Sequence, residues 1–310
     1  MANYAAVSNA YKIKYESIFT GIVANWDIAN HVDVKSPQFR FNYFGTGNET
    51  KRITSDDNDI DRQLYQFSIQ FIDIQTGLQR TIDDIHTFNL DLNYSIINPN
   101  SELLAEDVPE VRSLLRDDFN RQVYAGIGLR YRMENVDHSG LPNRGIRFQL
   151  GLNYKDELQR DEFSFLQLKS QVSFYLPLYL SPKNTTLALR LGGSHNIGDY
   201  DFYDSNFIGG TEEFRGVRRN RFAGRSSFYN NIELRVDLFD FAKQILPTTM
   251  GLMVFNDNAR VWNENENSSL WHQSLGAGIY LSPLNMLAIN AFYSKSDDDN
   301  LFNLTFGFFF

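Results

Sequence analysis

Five histidines, His31, His86, His138, His195 and His272, are the side chains most readily turned to acid–base or metal chemistry, and their spacing serves neither. No pair stands at the His-x-x-x-His interval, His-Glu-x-x-His is absent, and the chain has no cysteine to complete a zinc site. The Gly-x-Ser-x-Gly elbow is missing too. Ser139 follows His138 in Asp137-His-Ser-Gly140, a run that reads as turn chemistry. A Ser, His and Asp assembled from separate strands would leave no spacing signal. In Phe44-Gly-Thr-Gly-Asn-Glu49, Gly45 and Gly47 make a tight turn that Asn48 can cap, but the Lys-Ser/Thr helix start of a phosphate-cradling loop does not follow. A net charge of −9 argues against nucleic acid as partner. The reading therefore expects no catalytic residue, no metal and no cofactor, and leaves charge pairing as the chemistry of interest.

The elements that would position such charges are strands. At 310 residues, 42% hydrophobic and with a mean hydropathy of −0.38, the chain has no apolar run of the about 18 residues a spanning helix needs. Its aromatic content is 15%, mostly Phe and Tyr, which suits rings girding both lipid interfaces of a barrel. Alternation recurs over most of the length. In Ser164–Leu176, Leu166, Leu168, Val172, Phe174 and Leu176 oppose Gln167, Lys169, Gln171 and Ser173. In Val123–Met133, Ile127, Leu129 and Tyr131 oppose Gly126, Gly128, Arg130 and Arg132. In the last segment Phe302, Leu304, Phe306, Phe308 and Phe310 share one face, with Asn303, Thr305 and Gly307 on the other. An edge strand of a soluble sandwich would also alternate, but segments of about 10 to 14 residues exceed globular strands and approach the 9 to 11 that cross a bilayer at a tilt.

Strands are expected near 300–310, 284–294, 270–282, 249–262, 226–239, 184–196, 163–177, 144–156, 119–134, 84–97 and 62–75, and upstream near 21–33, 10–20 and 2–8. A further one could hide in 38–50. Links at 282–285, 177–184 and 75–83 are short and fall on one side; those at 294–300, 262–269, 197–226, 156–162 and 97–118 fall on the other. Short periplasmic turns and longer external loops give that parity and put the C-terminus on the periplasmic side. Acidic runs at 56–61, 102–118, 156–162 and 297–299 read as solvated loops. The fold expected is all-β, a transmembrane antiparallel β-barrel of about 14–16 strands with a long loop near 197–226, and one domain over 1–310. Met1-Ala2-Asn3-Tyr4 lacks a secretion signal, so an outer-membrane chain of this kind is expected to have its native N-terminus upstream, with the first barrel strands possibly incomplete.

The loop carries Phe207-Ile-Gly-Gly-Thr-Glu-Glu-Phe-Arg-Gly-Val217, and the strands after it carry Glu233-Leu-Arg235 and Phe255-Asn-Asp257. Gly209-Gly210, then Phe214-Arg215-Gly216-Val217, then these acids and a terminal Phe, resemble the signature of the BamA/TamA-type assembly and two-partner-secretion barrels, the bacterial surface antigen family. That resemblance implies that the loop folds back into the barrel, with Arg215 and Gly216 at a tip anchored in the lumen. Alternation puts Glu233, Phe255 and Asp257 on the interior face, so Asp257 is the expected partner of Arg215 and Glu233 the second. Val217 stands where the family usually has an aromatic, and Ala259 where it often has Gly.

The resemblance also implies a function: a Gram-negative outer-membrane barrel that inserts or translocates polypeptides, meeting outer-membrane lipids and client chains or assembly subunits, with periplasmic modules or a fused hydrolase upstream. The first and last strands would meet in a weak seam, where Phe306, Gly307, Phe308 and Phe310 form the C-terminal edge and assembly signal. Two alternatives stay open. A passive pore would use Arg130, Arg132, Arg147, Lys169, Arg190, Glu233 and Asp257 to set ion preference. An anchor would merely hold or translocate an upstream hydrolase.

Overall fold

The computed structural model describes residues 2–5, 10–23, 25–36, 40–42, 44–49, 66–100, 121–159, 163–178, 184–211, 213–241, 246–264, 266–284 and 287–307. Among the described residues fifteen strands make one antiparallel sheet. They are β1 (Ala2–Ala5), β2 (Ala10–Val23), β3 (Trp26–Lys35), β4 (Arg40–Asn42), β5 (Gln66–Ile82), β6 (His86–Asn100), β7 (Gln122–Val136), β8 (Gly145–Glu157), β9 (Ser164–Leu178), β10 (Thr185–Gly198), β13 (Ser226–Phe241), β14 (Thr248–Trp262), β15 (His272–Pro283), β16 (Ile289–Ser296) and β17 (Asn300–Phe306). Between β10 and β13, the two short strands β11 (Asn206–Ile208) and β12 (Phe222–Gly224) pair with each other. Each long strand pairs with the long strands before and after it in sequence, and among the described residues β4 pairs with β5 alone. Among the described residues β1 and β17 are the two ends of the pairing order. No described helix is long and apolar enough to cross a membrane.

Burial is inverted relative to a soluble sheet. Leu129, Leu252, Val254, Leu275, Phe302, Leu304 and Phe306 lie exposed on one face, while Asp91, Asn93, Ser173, Arg190, Asn231, Glu233 and Asp257 are buried on the other. A water-soluble sheet would bury the first set and solvate the second; a lipid-facing barrel does the reverse. The polar face curls around the 199–225 loop. Ile69 of β5, Ile97 of β6, Tyr124 of β7 and Phe165 of β9 form one cluster with Ala223 of that loop, and Arg221 of the same loop reaches Asp298 beyond β16.

Several boundaries differ from the sequence reading. The expected link at 75–83 is strand: β5 continues to Ile82, because Ile74, Thr76, Leu78 and Arg80 keep the alternation. The turn comes at 83–85, where Asp83 and Asp84 take φ of 52° and 54°, the left-handed pair that a tight hairpin requires. Likewise β2 runs on to Val23 and β3 starts at Trp26. β16 begins at Ile289 rather than 284. Of the acidic run at 156–162, Asp156 and Glu157 belong to β8 and Glu157 is buried, while Leu158 and Gln159 lie exposed beyond the strand and 160–162 fall outside the described residues. The strand suspected within 38–50 is the three-residue β4. The acidic runs 56–61 and 102–118, and Phe308 and Phe310, lie outside the described residues.

Candidate functional site

Charge alternation along β13 and β14 builds the floor of the site. The two strands pair with Asn231 opposite Asp257, Glu233 opposite Phe255 and Arg235 opposite Met253, so both acids face inward on neighbouring strands, offset by two residues. The loop drops onto that floor. Arg215 donates from Nε and Nη2 to the two carboxylate oxygens of Asp257, each at 2.8 Å, and from its backbone N–H to Asp257 Oδ2 at 3.1 Å. Its Nη1 donates to Glu233 Oε2. Glu233 is shared, its other oxygen accepting from Arg235 Nε at 2.7 Å. Arg215 is 1% exposed and Asp257 0%, so the group is dry. The guanidinium also lies 3.5 Å from the ring centroid of Phe255, a face contact that suits a flat cation. Burial works against the charge of Arg215, but the carboxylates of Asp257 and Glu233 outweigh it and hold the pKa above the usual arginine value.

Backbone geometry brings the arginine down. Gly216 has φ of 93°, and a Cβ there would press on Ser274 of β15, so a side chain is excluded by both conformation and space. Its carbonyl accepts from Ser296 Oγ at 2.8 Å, tying the tip to the end of β16. Gly209 has φ of 129° and Gly210 94°, and Gly210 N–H closes the hairpin on Val217 carbonyl at 3.2 Å. Val217 packs fully buried with Ile208, Phe214, Phe222, Tyr229, Ala259 and Val261. An aliphatic side chain thus fills the space where an aromatic was the family expectation. Asn231 donates to Glu213 carbonyl at 3.0 Å and accepts from Arg190 Nε at 2.8 Å, so β13 and β10 also grip the loop. At the other edge Gly307 has φ of 107°, donates to Ala288 carbonyl at 2.7 Å and accepts from Asn290 Nδ2 at 2.7 Å. Phe306 is 71% exposed.

Three partners were not visible in the sequence reading. The 137–144 turn folds into the interior from the opposite end: Leu141 is 2% exposed and packs with Met253, Phe255, Tyr280 and Phe292, directly beneath the Arg215 contacts. Arg235 donates to Pro142 carbonyl at 3.3 Å, and Thr186 to Asn143 Oδ1 at 2.9 Å. Asp137 Oδ1 accepts from the backbone N–H groups of His138, Asn143 and Arg144, which shapes the turn. Second, Arg221 is 2% exposed and forms a two-point contact with Asp298 at 2.7 and 2.8 Å. Third, Asn48 reads the edge of β14 as a strand would, donating to Val261 carbonyl at 2.8 Å and accepting from its N–H at 3.0 Å, while Gly47 bridges to Ala223. Only the long separations in sequence connect these pairs, and no local pattern announces them.

The interior cations proposed as ion-selecting are engaged. Arg130 pairs with Asp91 at 2.8 Å, Arg132 and Arg147 with Glu134 at 2.8 Å each, and Lys169 with Glu213 at 3.7 Å. Among the described residues, no group of three or more histidines and carboxylates comes together in a way that would hold a metal ion.

A family model described as the Omp85 superfamily domain matches residues 3–310. Among solved structures, the chain is similar to BamA from Haemophilus ducreyi lacking POTRA domains 1–3, with a TM-score of 0.67 at 13% identity, covering 96% of this chain and 61% of that one. It is also similar to CdiB from Acinetobacter baumannii, with a TM-score of 0.59 at 13% identity, covering 96% of this chain and 49% of the other. The chain therefore spans about half to three-fifths of the length of these structures. No curated protein matches it.

Proposed function

The chain belongs to the Omp85 superfamily, and from that premise we propose that it is the barrel domain, residues 1–310, of a machine that inserts or secretes polypeptides at the bacterial outer membrane. The observation that carries this reading is the dry knot of Arg215, Asp257, Glu233 and Phe255, which fastens a long loop inside the barrel. A two-point arginine–carboxylate contact fixes orientation as well as position, so the loop braces one wall while other strands stay free to move. The end of the sheet carrying Phe306 and the short turns is the periplasmic end in this reading, and the 199–225 loop enters from outside. The edges of β1 and β17 are the surfaces a client strand would meet by strand addition, with outward Phe302, Leu304 and Phe306 already suited to lipid. Phe306, Gly307, Phe308 and Phe310 serve as the C-terminal seam. The reading requires no catalytic residue, metal or cofactor.

A passive pore is the weaker reading, because the loop and the Leu141 turn occupy the interior from both ends against β13 to β16. The test is assembly of an unfolded outer-membrane barrel client into vesicles holding the purified protein. Faster appearance of folded client than in empty vesicles supports the proposal. A folded protein that leaves client folding unchanged and gives a large, steady conductance would replace it with the pore.

A further inference from the structure

On the outward face at the loop end of the sheet, Arg260 of β14 sits against two exposed indoles. Its guanidinium is 5.0 Å from the Trp262 ring centroid and 5.9 Å from that of Trp271, and the two indoles meet edge to face at 6.0 Å. Phe228 of β13 packs edge-on against Trp271 at 6.0 Å, closing the cage from the other side. Trp262 is 37% exposed and Trp271 46%, so neither ring is core. Below them the outward row changes from Val254 and Leu252 to Asn256 and Asn258, and Asn258 donates to Asn256 at 2.7 Å and to Asn230 of β13 at 3.0 Å. That change marks the height at which the apolar band gives way to the polar interface, and Trp at such a level is the usual girdle.

What the girdle does not explain is the arginine. Among the described residues no carboxylate lies within ion-pair distance of Arg260; in the segment that follows β14, Glu264 pairs with Arg225 at 3.0 Å and Glu266 Oε1 accepts from the Asn48 N–H at 2.6 Å. Its one hydrogen-bond acceptor is the carbonyl of Ser268, and its Nε–H is shielded from water without a partner. An uncompensated guanidinium at the edge of hydrocarbon is costly, and the anion abundant at that depth is lipid phosphate, whose oxygens suit the planar fork. With a net charge of −9 the protein as a whole repels anions, so the attraction is local.

We propose that Arg260, caged by Trp262, Trp271 and Phe228, binds the phosphate headgroup of an anionic lipid. The inference rests on the membrane-spanning reading of the sheet. The probe is tryptophan fluorescence in vesicles of chain-brominated phosphatidylcholine, in a Trp26→Phe background so that only the two caged indoles report. Unbrominated phosphatidic acid is then titrated in. Selective occupancy restores fluorescence faster than equal partitioning allows, and an exposed ion pair corresponds to a preference of about threefold. Arg260→Gln should lower that preference to about one, and Arg260→Lys should keep part of it. Equal partitioning in the parent, an unchanged preference in Arg260→Gln, or loss of the preference on adding inorganic phosphate would each overturn the lipid site. Absence of quenching by any brominated lipid would overturn the membrane reading with it.

Discussion

Replacing Arg215 with alanine removes three side-chain donors from two buried carboxylates, and the consequences fall unequally on them. Glu233 keeps Arg235, whereas Asp257 keeps only the backbone N–H of residue 215. Breaking one side of a buried pair costs about 3–5 kcal/mol, chiefly through the charge left behind. Asp257→Ala should cost a similar amount for the mirror reason. The double variant should cost much less than the sum, giving a coupling of about 3 kcal/mol. Even at its lower end such a loss raises the population of the undocked loop by about two orders of magnitude. Arg218 reports it, because its side chain is 45% exposed but tethered to Asp299 at 3.2 Å. Trypsin cleavage at Arg218, timed on protein shown to be folded by its heat-dependent gel mobility, should quicken about a hundredfold in either single variant, provided docking is fast relative to cutting. Rates within twofold of the parent in both, or strict additivity in the double variant, would refute the claim that the pair holds the loop.

Three further outcomes follow from the same geometry. Gly216→Ala puts a side chain at φ of 93° and against Ser274, and should destabilise loop docking by about 1–3 kcal/mol, read by the same cleavage assay; full parent behaviour would mean the tip is elsewhere. Leu141→Ala should lower thermal stability by about 2–5 kcal/mol, and Leu141→Asp should raise single-channel conductance by withdrawing the turn from beneath Phe255; unchanged conductance in a folded Leu141→Asp barrel would contradict the plugging role. Partial burial pushes the Asp137 carboxyl up, but the N–H groups of Asn143 and Arg144 and the neighbouring His138 prevail and hold it below its usual value. A depressed carboxyl contributes stability above its unfolded pKa of about 3.9 and loses it as pH falls through the lower folded value, so exchange of the Asn143 and Arg144 amides should accelerate only below about pH 4.

The strands were legible because alternation is a local signal: Ile127 and Leu129 point outward and Arg130 inward from residue order alone. The same parity puts Glu233 and Asp257 on one interior wall. Where β5 ends was missed because Thr76 and Gly77 read as a break, although the chain continues extended through them to a turn at Asp83 and Asp84. Leu141 and Pro142 look like turn residues, since two apolar positions carry no period, and only the space left beneath Phe255 and Phe292 explains their burial. Asn48 and Val261 lie 213 positions apart, and the Asn48 amide supplies to β14 the pairing that β15 does not extend far enough to give. Interior polar contacts of this kind are decided by which walls the curled sheet brings together, which a single segment does not encode.

The most direct test of the docked loop is thiol accessibility at its tip. The chain has no cysteine, so Val217→Cys provides a single conservative reporter that is 1% exposed in the parent, with Arg218→Cys as the exposed control. A hydrophilic maleimide should modify Arg218→Cys rapidly and leave Val217→Cys protected in the folded barrel, and adding Asp257→Ala should release that protection. Equal labelling at 217 and 218 in the otherwise unchanged protein would place the tip in water and contradict the account.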